Sequence, residues 1–185
     1  MNGQARLAAQ SRKWLLEALF KLLKQRDYSA ITVKDIAETA QLSRRTFYRA
    51  FKNKDELLKY YGEHVMQRYL AALQQHEDIN LTFEQVLRVF FNFWWQERQQ
   101  IKLLIQQNLF ISLLPTIVPQ SFHLYELFDA PPWHIQGTPQ EINYIMSFSV
   151  AGFWNILNTW LAKEDPEEPA EMVKILLKAI HKLKS

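Results

Sequence analysis

The chain has 185 residues, a formal net charge of +3 and no cysteine, and 48% of its residues are hydrophobic. This length allows one or two domains with a hydrophobic core, and the lack of cysteine excludes disulfides, thiolate nucleophiles and cysteine-ligated metals. The most apolar run, Leu109–Val118, is short and contains Pro115, so we expect no membrane span. The N-terminal residues include no continuous apolar stretch, so the sequence favours a cytoplasmic protein without a secretory signal.

Charge is distributed unevenly along the chain. Residues 1–60 contain 13 Lys/Arg against 6 Asp/Glu, a net of +7, whereas residues 61–185 contain 9 against 13, a net of −4. A basic first third favours a polyanionic partner for that part of the chain. A solvated basic surface gives the same balance, and charge alone does not choose between the two.

The first third predicts three helices, the second and third of which are short. Apolar residues recur at helical spacing over Ala8–Gln25. Thr32 then has the position of an N-cap for a helix over Val33–Ala40, and Ser43 has the same position before Arg44–Phe51. Two short helices joined by a tight turn form a helix-turn-helix unit.

The rest of the sequence predicts further helices, so the expected fold class is all-α. Asn53 has the position of an N-cap for a long helix that ends near Gln75. The later predicted ranges are Thr82–Gln96, Gln99–Leu113, Pro119–Phe128, 139–162 and 166–184. The last two start at Thr138-Pro139-Gln140-Glu141 and Asp165-Pro166-Glu167-Glu168, where a capping residue precedes proline and glutamate occupies the third helical position. We expect one domain over residues 1–60 and a second over residues 61–185.

The helix after Ser43 carries a dense set of basic and polar side chains. Leu42, Phe47 and Phe51 have the spacing of a buried face. The side chains that this leaves exposed are Arg44, Arg45, Thr46, Tyr48 and Arg49. A helix fits the major groove of DNA, where arginine pairs bidentately with guanine and tyrosine or threonine contacts phosphates or bases. Lys54, in the first turn of the next helix, is suited to a phosphate. Solvated arginines and a packed Tyr48 are the alternative.

Three stretches, "ITVKDIAETAQLS", "RRTFYRAF" and "KNKDELL", resemble the N-terminal domain of TetR-family transcriptional regulators. The resemblance implies a DNA-binding helix-turn-helix domain followed by a helical domain that dimerises and often binds a small effector. It implies that Thr32, Arg44, Arg45, Thr46, Tyr48 and Lys54 contact DNA. To these we add Ser43, mainly as a cap, and Arg49 as a candidate phosphate contact. Three residues depart from the family pattern: Gln41 stands where glycine is usual, Arg45 where a small residue is common, and Ala50 where histidine is common.

The aromatic stretch "VFFNFWWQE" points to a helix that is covered on most sides. Ordinary core packing explains most of these rings, but rings that face several directions also favour a cavity for an apolar or aromatic effector. The candidate pocket residues are Phe90, Phe91, Asn92, Trp94, Trp95, Asn108, Tyr144, Phe148 and Asn155.

The last two helices are more apolar than one-sided burial in a monomer requires, which favours a two-fold four-helix interface. The candidate interface residues are Phe153, Ile156, Trp160, Leu176, Ala179, Ile180 and Leu183. A homodimer would place two recognition helices on a near-palindromic operator, about 34–36 Å apart or a multiple of that distance.

An enzyme is the main rival class. The five histidines are scattered without metal-ligand spacing, and the sequence contains no GxGxxG, P-loop or GxSxG motif. We therefore predict no catalytic residue, no metal and no cofactor. The predicted function is a transcriptional regulator, acting as a repressor that a small apolar or aromatic effector releases. The alternative is a DNA-binding or protein-interaction module without small-molecule control.

Overall fold

The computed structural model describes residues 3–75, 82–119 and 137–183, and all the regular structure in these ranges is helical. The helices are α1 (Gly3–Leu23), α2 (Val33–Thr39), α3 (Arg44–Ala50), α4 (Lys54–Gln74), α5 (Phe83–Gln96), α6 (Arg98–Gln106), α7 (Pro139–Leu161) and α8 (Pro169–Leu183). Short 3₁₀ turns occur at Tyr28–Ala30 and Ile111–Leu113, the second continued by helical residues 114–119. The all-α prediction is confirmed. The helix predicted over Pro119–Phe128 lies, apart from its first residue, outside the described residues.

The chain divides into two compact units, Met1–Gly62 and Glu63–Ser185. The division falls within α4. In the N-terminal unit, α1 packs against α2 and α3. Leu15, Ile36, Phe47 and Leu57 are fully buried there. Because α2 and α3 are only seven residues long, this packing, and not helix propensity, holds them in place.

The predicted N-caps of the short helices are confirmed. The Asp35 N–H donates to Thr32 Oγ1 while the Asp35 carboxylate accepts from the Thr32 N–H, so both arms of a capping box are present. These hydrogen bonds lower the pKa of Asp35 below its usual value. The Thr46 N–H donates to Ser43 Oγ at 3.0 Å and so caps α3.

In the C-terminal unit, α5 packs mainly against α8, and α6 packs against α7. Capping boxes open α5 at Thr82 and α7 at Thr138, as the sequence predicts. The last helix begins at Pro169, three residues later than expected. The Met172 N–H donates to the Glu168 carbonyl, so the pattern of acid, proline and glutamate is used at Glu168 instead of Asp165.

The helix predicted over Gln99–Leu113 is interrupted. Asn108 has φ of 57°, and the Leu109 N–H donates to the Leu104 carbonyl, which together terminate α6 as a Schellman motif. Among the described residues, no single helix is long and apolar enough to span a membrane. Arg98–Gln106 and Ile111–Pro119 reach that length and composition only together, and they are bent by 103°.

The turn between α2 and α3 has the same construction. Gln41 has φ of 56°, its N–H donates to the Glu38 carbonyl, and the Leu42 N–H donates to the Ala37 carbonyl at 2.8 Å. These are the two hydrogen bonds of a Schellman motif, in which the residue at positive φ is usually glycine. The turn therefore keeps its geometry with glutamine, at a steric cost to its β-carbon.

We predict that Gln41→Gly stabilises the N-terminal unit by roughly 0.5–1 kcal/mol, because glycine adopts positive φ without that cost. Part of the gain is offset by the greater freedom of glycine in the unfolded chain. Urea unfolding followed by circular dichroism measures the change. Gln41→Ala retains the β-carbon and is the matched control, and equal stability of the two variants would contradict the prediction.

Candidate nucleic-acid interface

Helix α3 presents its charged side chains to solvent. Phe47 is fully buried and Phe51 is 5% exposed, and together they fix the inner face of the helix. Arg44, Arg45 and Arg49 are exposed, and Tyr48 is 58% exposed although it is aromatic. The structure thus places four of the predicted DNA-contacting residues on one accessible helix.

Ser43 and Thr46 are engaged with each other. Their hydroxyl oxygens lie 2.9 Å apart, in addition to the cap that Ser43 makes to the Thr46 N–H. Thr46 is half-buried. Each hydroxyl keeps some accessible surface, but its first role here is to hold the start of α3.

The arginines of the chain fall into two groups. Arg68 pairs with Glu97 at 2.9 Å, Arg88 pairs with Glu84, and Arg98 donates to the Trp95 carbonyl at 2.7 Å. In the N-terminal unit, Arg26 pairs with Asp35 at 3.3 Å. The other arginines have no ion pair, hydrogen bond or ring contact among the described residues. They are Arg6, Arg12, Arg44, Arg45 and Arg49.

All five unpaired arginines lie on the first half of α1 or on α3. A groove of the N-terminal unit brings the two helices together, with Ser11 and Arg12 on one side and Thr46 and Arg49 on the other. Guanidinium groups without internal partners retain their charge and all their donors for a polyanion. Arg12 was missing from the set that the family resemblance supplied, although it belongs to the basic first third of the sequence.

The structure changes the role expected for Lys54. Its ammonium donates to the carbonyls of Tyr28 at 2.6 Å and Ile31 at 2.8 Å, and a longer contact of 3.4 Å reaches Ser29. The same ammonium lies 4.4 Å from the centre of the Tyr28 ring. A lysine has three donors, and the 3₁₀ turn before α2 occupies them, so Lys54 is a structural clamp of this turn.

Tyr28 belongs to the same clamp, whereas Thr32 belongs to the cap of α2. The Tyr28 hydroxyl donates to Asp55 Oδ1 at 2.7 Å, and burial together with this hydrogen bond raises the pKa of Tyr28. The Thr32 hydroxyl donates to Asp35 Oδ2 at 2.6 Å. Thr32 is exposed, but its hydroxyl hydrogen is already used in the cap of α2.

A second feature, in the C-terminal unit, is an apolar cavity of about 40 Å³. Its lining comprises Met66, Tyr69, Val86, Leu87, Phe90, Trp94, Ile117, Val150, Phe153 and Trp154. Of the predicted pocket residues, Phe90 and Trp94 line this cavity. The aromatic run pointed to those two, but the contributions of α4 and α7 depend on tertiary packing that the sequence pattern does not reveal.

The other predicted pocket residues lie elsewhere. Phe91 is buried against Trp160, and Trp95 stacks on Trp160. Asn92 and Asn155 are exposed, and Asn108 forms the turn after α6. Tyr144 and Phe148 are 69% and 82% exposed. The cavity therefore differs from the predicted set, because these side chains face the surface or a separate part of the core.

The predicted interface residues are also divided. Trp160 is 1% exposed, and its indole N–H donates to the Glu167 carbonyl at 2.9 Å. Leu176 is buried and Phe153 lines the cavity, so these three side chains are used within the chain. Ile156 and Ile180 are half-buried and Ala179 is exposed, and the side chain of Leu183 lies outside the described residues. Two of the predicted interface residues of α7, Phe153 and Trp160, contact rings of α5.

Lys54→Met is predicted to destabilise the N-terminal unit by roughly 1–3 kcal/mol, since it leaves partly buried carbonyls without a donor. It is not expected to change the salt dependence of DNA binding, as loss of a phosphate contact would. Urea unfolding and anisotropy titrations at several salt concentrations measure the two effects. Lys52→Met, at a neighbouring exposed lysine, is the control for stability. If Lys54→Met made DNA affinity depend less steeply on salt concentration and left stability unchanged, Lys54 would be a phosphate contact after all.

Comparison with known proteins agrees with this geometry. Residues 15–61 match the family model for bacterial regulatory proteins of the tetR family, and residues 81–182 match a model for a transcriptional regulator C-terminal region. The chain is 34% identical over 82 residues to the HTH-type transcriptional regulator AlkX of Mycobacterium tuberculosis, covering 42% of this chain and 39% of that protein. It is 38% identical over 53 residues to the dhaKLM operon transcriptional activator DhaS of Lactococcus lactis, covering 29% and 28%.

These matches span less than half the length of the curated relatives. Solved structures extend the likeness to nearly the whole fold. A TetR transcriptional regulator from Streptococcus agalactiae has a TM-score of 0.65 at 22% identity, covering 96% of this chain and 97% of that one. Lin0861 from Listeria innocua has a TM-score of 0.71 at 18% identity, covering 99% and 95%. The two family models together cover most of the sequence, and the chain belongs to the TetR family of bacterial transcriptional regulators.

Proposed function

We propose that the chain acts in the cytoplasm as a homodimeric repressor that binds a near-palindromic operator and is released by a small apolar or aromatic effector. The observation that carries the DNA-binding part is the distribution of arginines. The described arginines of the C-terminal unit have partners within the chain, whereas five on α1 and α3 have none.

In this proposal α3 enters the major groove. The first residues of a recognition helix are the ones that reach base edges, which assigns base contacts to Arg44 and Arg45. Bidentate pairing of a guanidinium with guanine O6 and N7 is the contact these side chains are suited to make. Tyr48, Arg49 and Arg12 are assigned to phosphates, because they lie on the later part of α3 or on α1. Ser43, Thr46, Thr32 and Lys54 then support this surface from within the unit.

The dimer contact is assigned to the exposed side of α7. Tyr144 and Phe148 are one helical turn apart on this side, and Gly152 follows one turn later. A β-carbon at Gly152 would meet nothing within 4 Å, so the chain itself gives no packing reason for glycine in mid-helix, where it costs roughly 0.5–1 kcal/mol relative to alanine. Close approach of a second copy supplies such a reason, and a homodimer usually repeats one patch on both subunits.

Effector control is assigned to the apolar cavity. Binding there would alter operator affinity through differential interaction with two conformations, and a coupling of about 1–3 kcal/mol is sufficient for a several-fold to hundredfold change. Repression is proposed because it is the usual mode of transcriptional control in the family. DhaS is named as an activator, so the sign of control needs its own test, a reporter assay with and without the gene.

Selection of bound fragments from random double-stranded DNA tests the proposal most directly. The expected product is a near-palindrome with two half-sites about one helical turn, or a multiple of it, apart. Enrichment of no sequence at low ionic strength would overturn DNA binding. Enrichment of single half-sites would overturn the dimeric mode only.

The alternative, a DNA-binding module without small-molecule control, has one observation in its favour. The cavity of about 40 Å³ is smaller than the roughly 150 Å³ that holds benzene in an engineered cavity. An effector would therefore have to displace the lining side chains.

Arg45→Ala is predicted to weaken binding to the selected operator by about 1–3 kcal/mol and to relax the preference at one base position, as expected for a lost guanine contact. Fluorescence anisotropy with operator and base-substituted duplexes measures both effects. Arg88→Ala removes the same charge from the C-terminal unit, where Glu84 neutralises it, and should leave affinity unchanged. Equal operator affinity of the Arg45→Ala variant and the unmodified protein would remove Arg45 from the base-reading residues.

Phe148→Glu is predicted to convert the dimer to a monomer at micromolar concentration, because two carboxylates would be placed in an apolar symmetric contact. Sedimentation velocity measures the change. Ile111→Glu introduces the same charge at another exposed apolar residue and serves as the control. A Phe148→Glu variant that remains dimeric would exclude this side of α7 from the interface.

A further inference from the structure

The cavity of the C-terminal unit carries information about the chemistry of its occupant. Among the described residues, its lining contains no Asp, Glu, Lys, Arg or His side chain. Burial raises the pKa of Tyr69, a phenol of this described lining, so this group is neutral as well. A charged molecule would lose its hydration here without gaining a counter-ion, which makes an ionised effector unfavourable.

Five aromatic rings form much of the lining, and they contact one another in pairs. The ring centres of Phe90 and Phe153 are 5.3 Å apart, and those of Trp94 and Trp154 are 5.4 Å apart, both in edge-to-face arrangement. Tyr69 lies 5.9 Å from Trp94. An apolar or aromatic ligand that entered the cavity would replace these ring–ring contacts with ring–ligand contacts of similar energy.

The two tryptophans of the lining differ in their hydrogen bonding. The Trp154 indole N–H donates to the Phe110 carbonyl at 3.0 Å. The Trp94 indole N–H is buried and has no acceptor among the described residues, although Trp94 is only 1% exposed. A buried donor without a partner is unusual in folded proteins and calls for an explanation.

A buried water molecule typically makes about three hydrogen bonds and needs two or more polar partners. Besides the paired Trp154 N–H, the lining offers two polar side-chain groups among the described residues, the Trp94 N–H and the Tyr69 hydroxyl. An occupant that accepts one hydrogen bond and is otherwise apolar would supply the acceptor that Trp94 lacks.

We propose that the effector is an uncharged, mainly apolar molecule with one hydrogen-bond acceptor, such as a ketone or ester oxygen, and that this acceptor binds the Trp94 indole N–H. This inference rests on the proposed effector control and names the chemical class at the same cavity. Because the cavity is small, binding requires lining side chains to move. Val150 and Phe153 are the half-buried members of the described lining.

The test uses the full chain without DNA and three probes that share a benzene ring: acetophenone, ethylbenzene and benzoate. Calorimetry gives their affinities, and ¹⁵N-indole spectra report the Trp94 N–H, assigned by its absence in Trp94→Phe. We expect acetophenone to bind roughly 2- to 10-fold more tightly than ethylbenzene, the worth of one neutral hydrogen bond, and benzoate not to bind measurably. Acetophenone, but not ethylbenzene, should shift the Trp94 N–H resonance downfield.

In Trp94→Phe the preference for acetophenone should disappear while ethylbenzene binding is retained. Trp95→Phe, a tryptophan outside the cavity lining, is the matched control and should keep the preference. If Trp94→Phe does not fold, replacing each of the other five tryptophans by phenylalanine assigns the Trp94 resonance by elimination, and its shift in the unmodified protein decides. Equal binding of acetophenone and ethylbenzene, tighter binding of benzoate, or no binding of any probe would overturn the inference. Operator affinity is measured separately, so failure here is distinguishable from failure of DNA binding.

Discussion

Burial of Phe47 is the constraint on which the DNA-binding surface depends. Helix α3 has seven residues, too few to be stable in isolation, so its rotation about its own axis is set by which side chain enters the core. With Phe47 fully buried and Phe51 nearly so, the arginines of α3 are directed away from the core. The buried Phe47 side chain thus determines which residues of α3 form the exposed surface, although Phe47 itself does not belong to that surface.

A second constraint is whether an arginine has an acidic partner on its own helix. Glu84 and Arg88 lie four residues apart on α5, a spacing at which oppositely charged side chains meet on a helix. Helix α3 contains three arginines and no acidic residue, so no such internal pairing is available to it. The excess of basic residues in the first third of the chain therefore appears in the structure as guanidinium groups without internal partners on α1 and α3.

The parts of the structure that depend on local chemistry could be predicted from the sequence. Thr32, Ser43, Thr82 and Thr138 cap helices as expected, because a cap is formed by residues three positions apart. The interruption after α6 was missed, since asparagine at positive φ is one choice among several for that residue. At the start of α8 two adjacent stretches carry the same acid-proline-glutamate pattern, and the helix begins at the second one.

The candidate sites depend more on long-range contacts. Lys54 follows the family pattern, yet its partners are carbonyls more than 20 residues earlier in the sequence, which no local spacing indicates. The apolar stripe of α7 was assigned to a partner subunit because periodicity identifies an apolar face but not what covers it. Rings of α5 contact Trp160 on that face, and the more exposed Tyr144 and Phe148 carry the proposed contact instead.

Helix α4 gives the proposed coupling between effector and operator a covalent route. It is continuous from Lys54 to Gln74. Its first residue holds the carbonyls of the turn that leads into α2, and Met66 and Tyr69, three and four turns later, line the apolar cavity. A helix transmits displacement along its axis because each turn is hydrogen-bonded to the next. In the proposed coupling, an occupant that displaces Tyr69 would act on the same helix that carries Lys54 at its start.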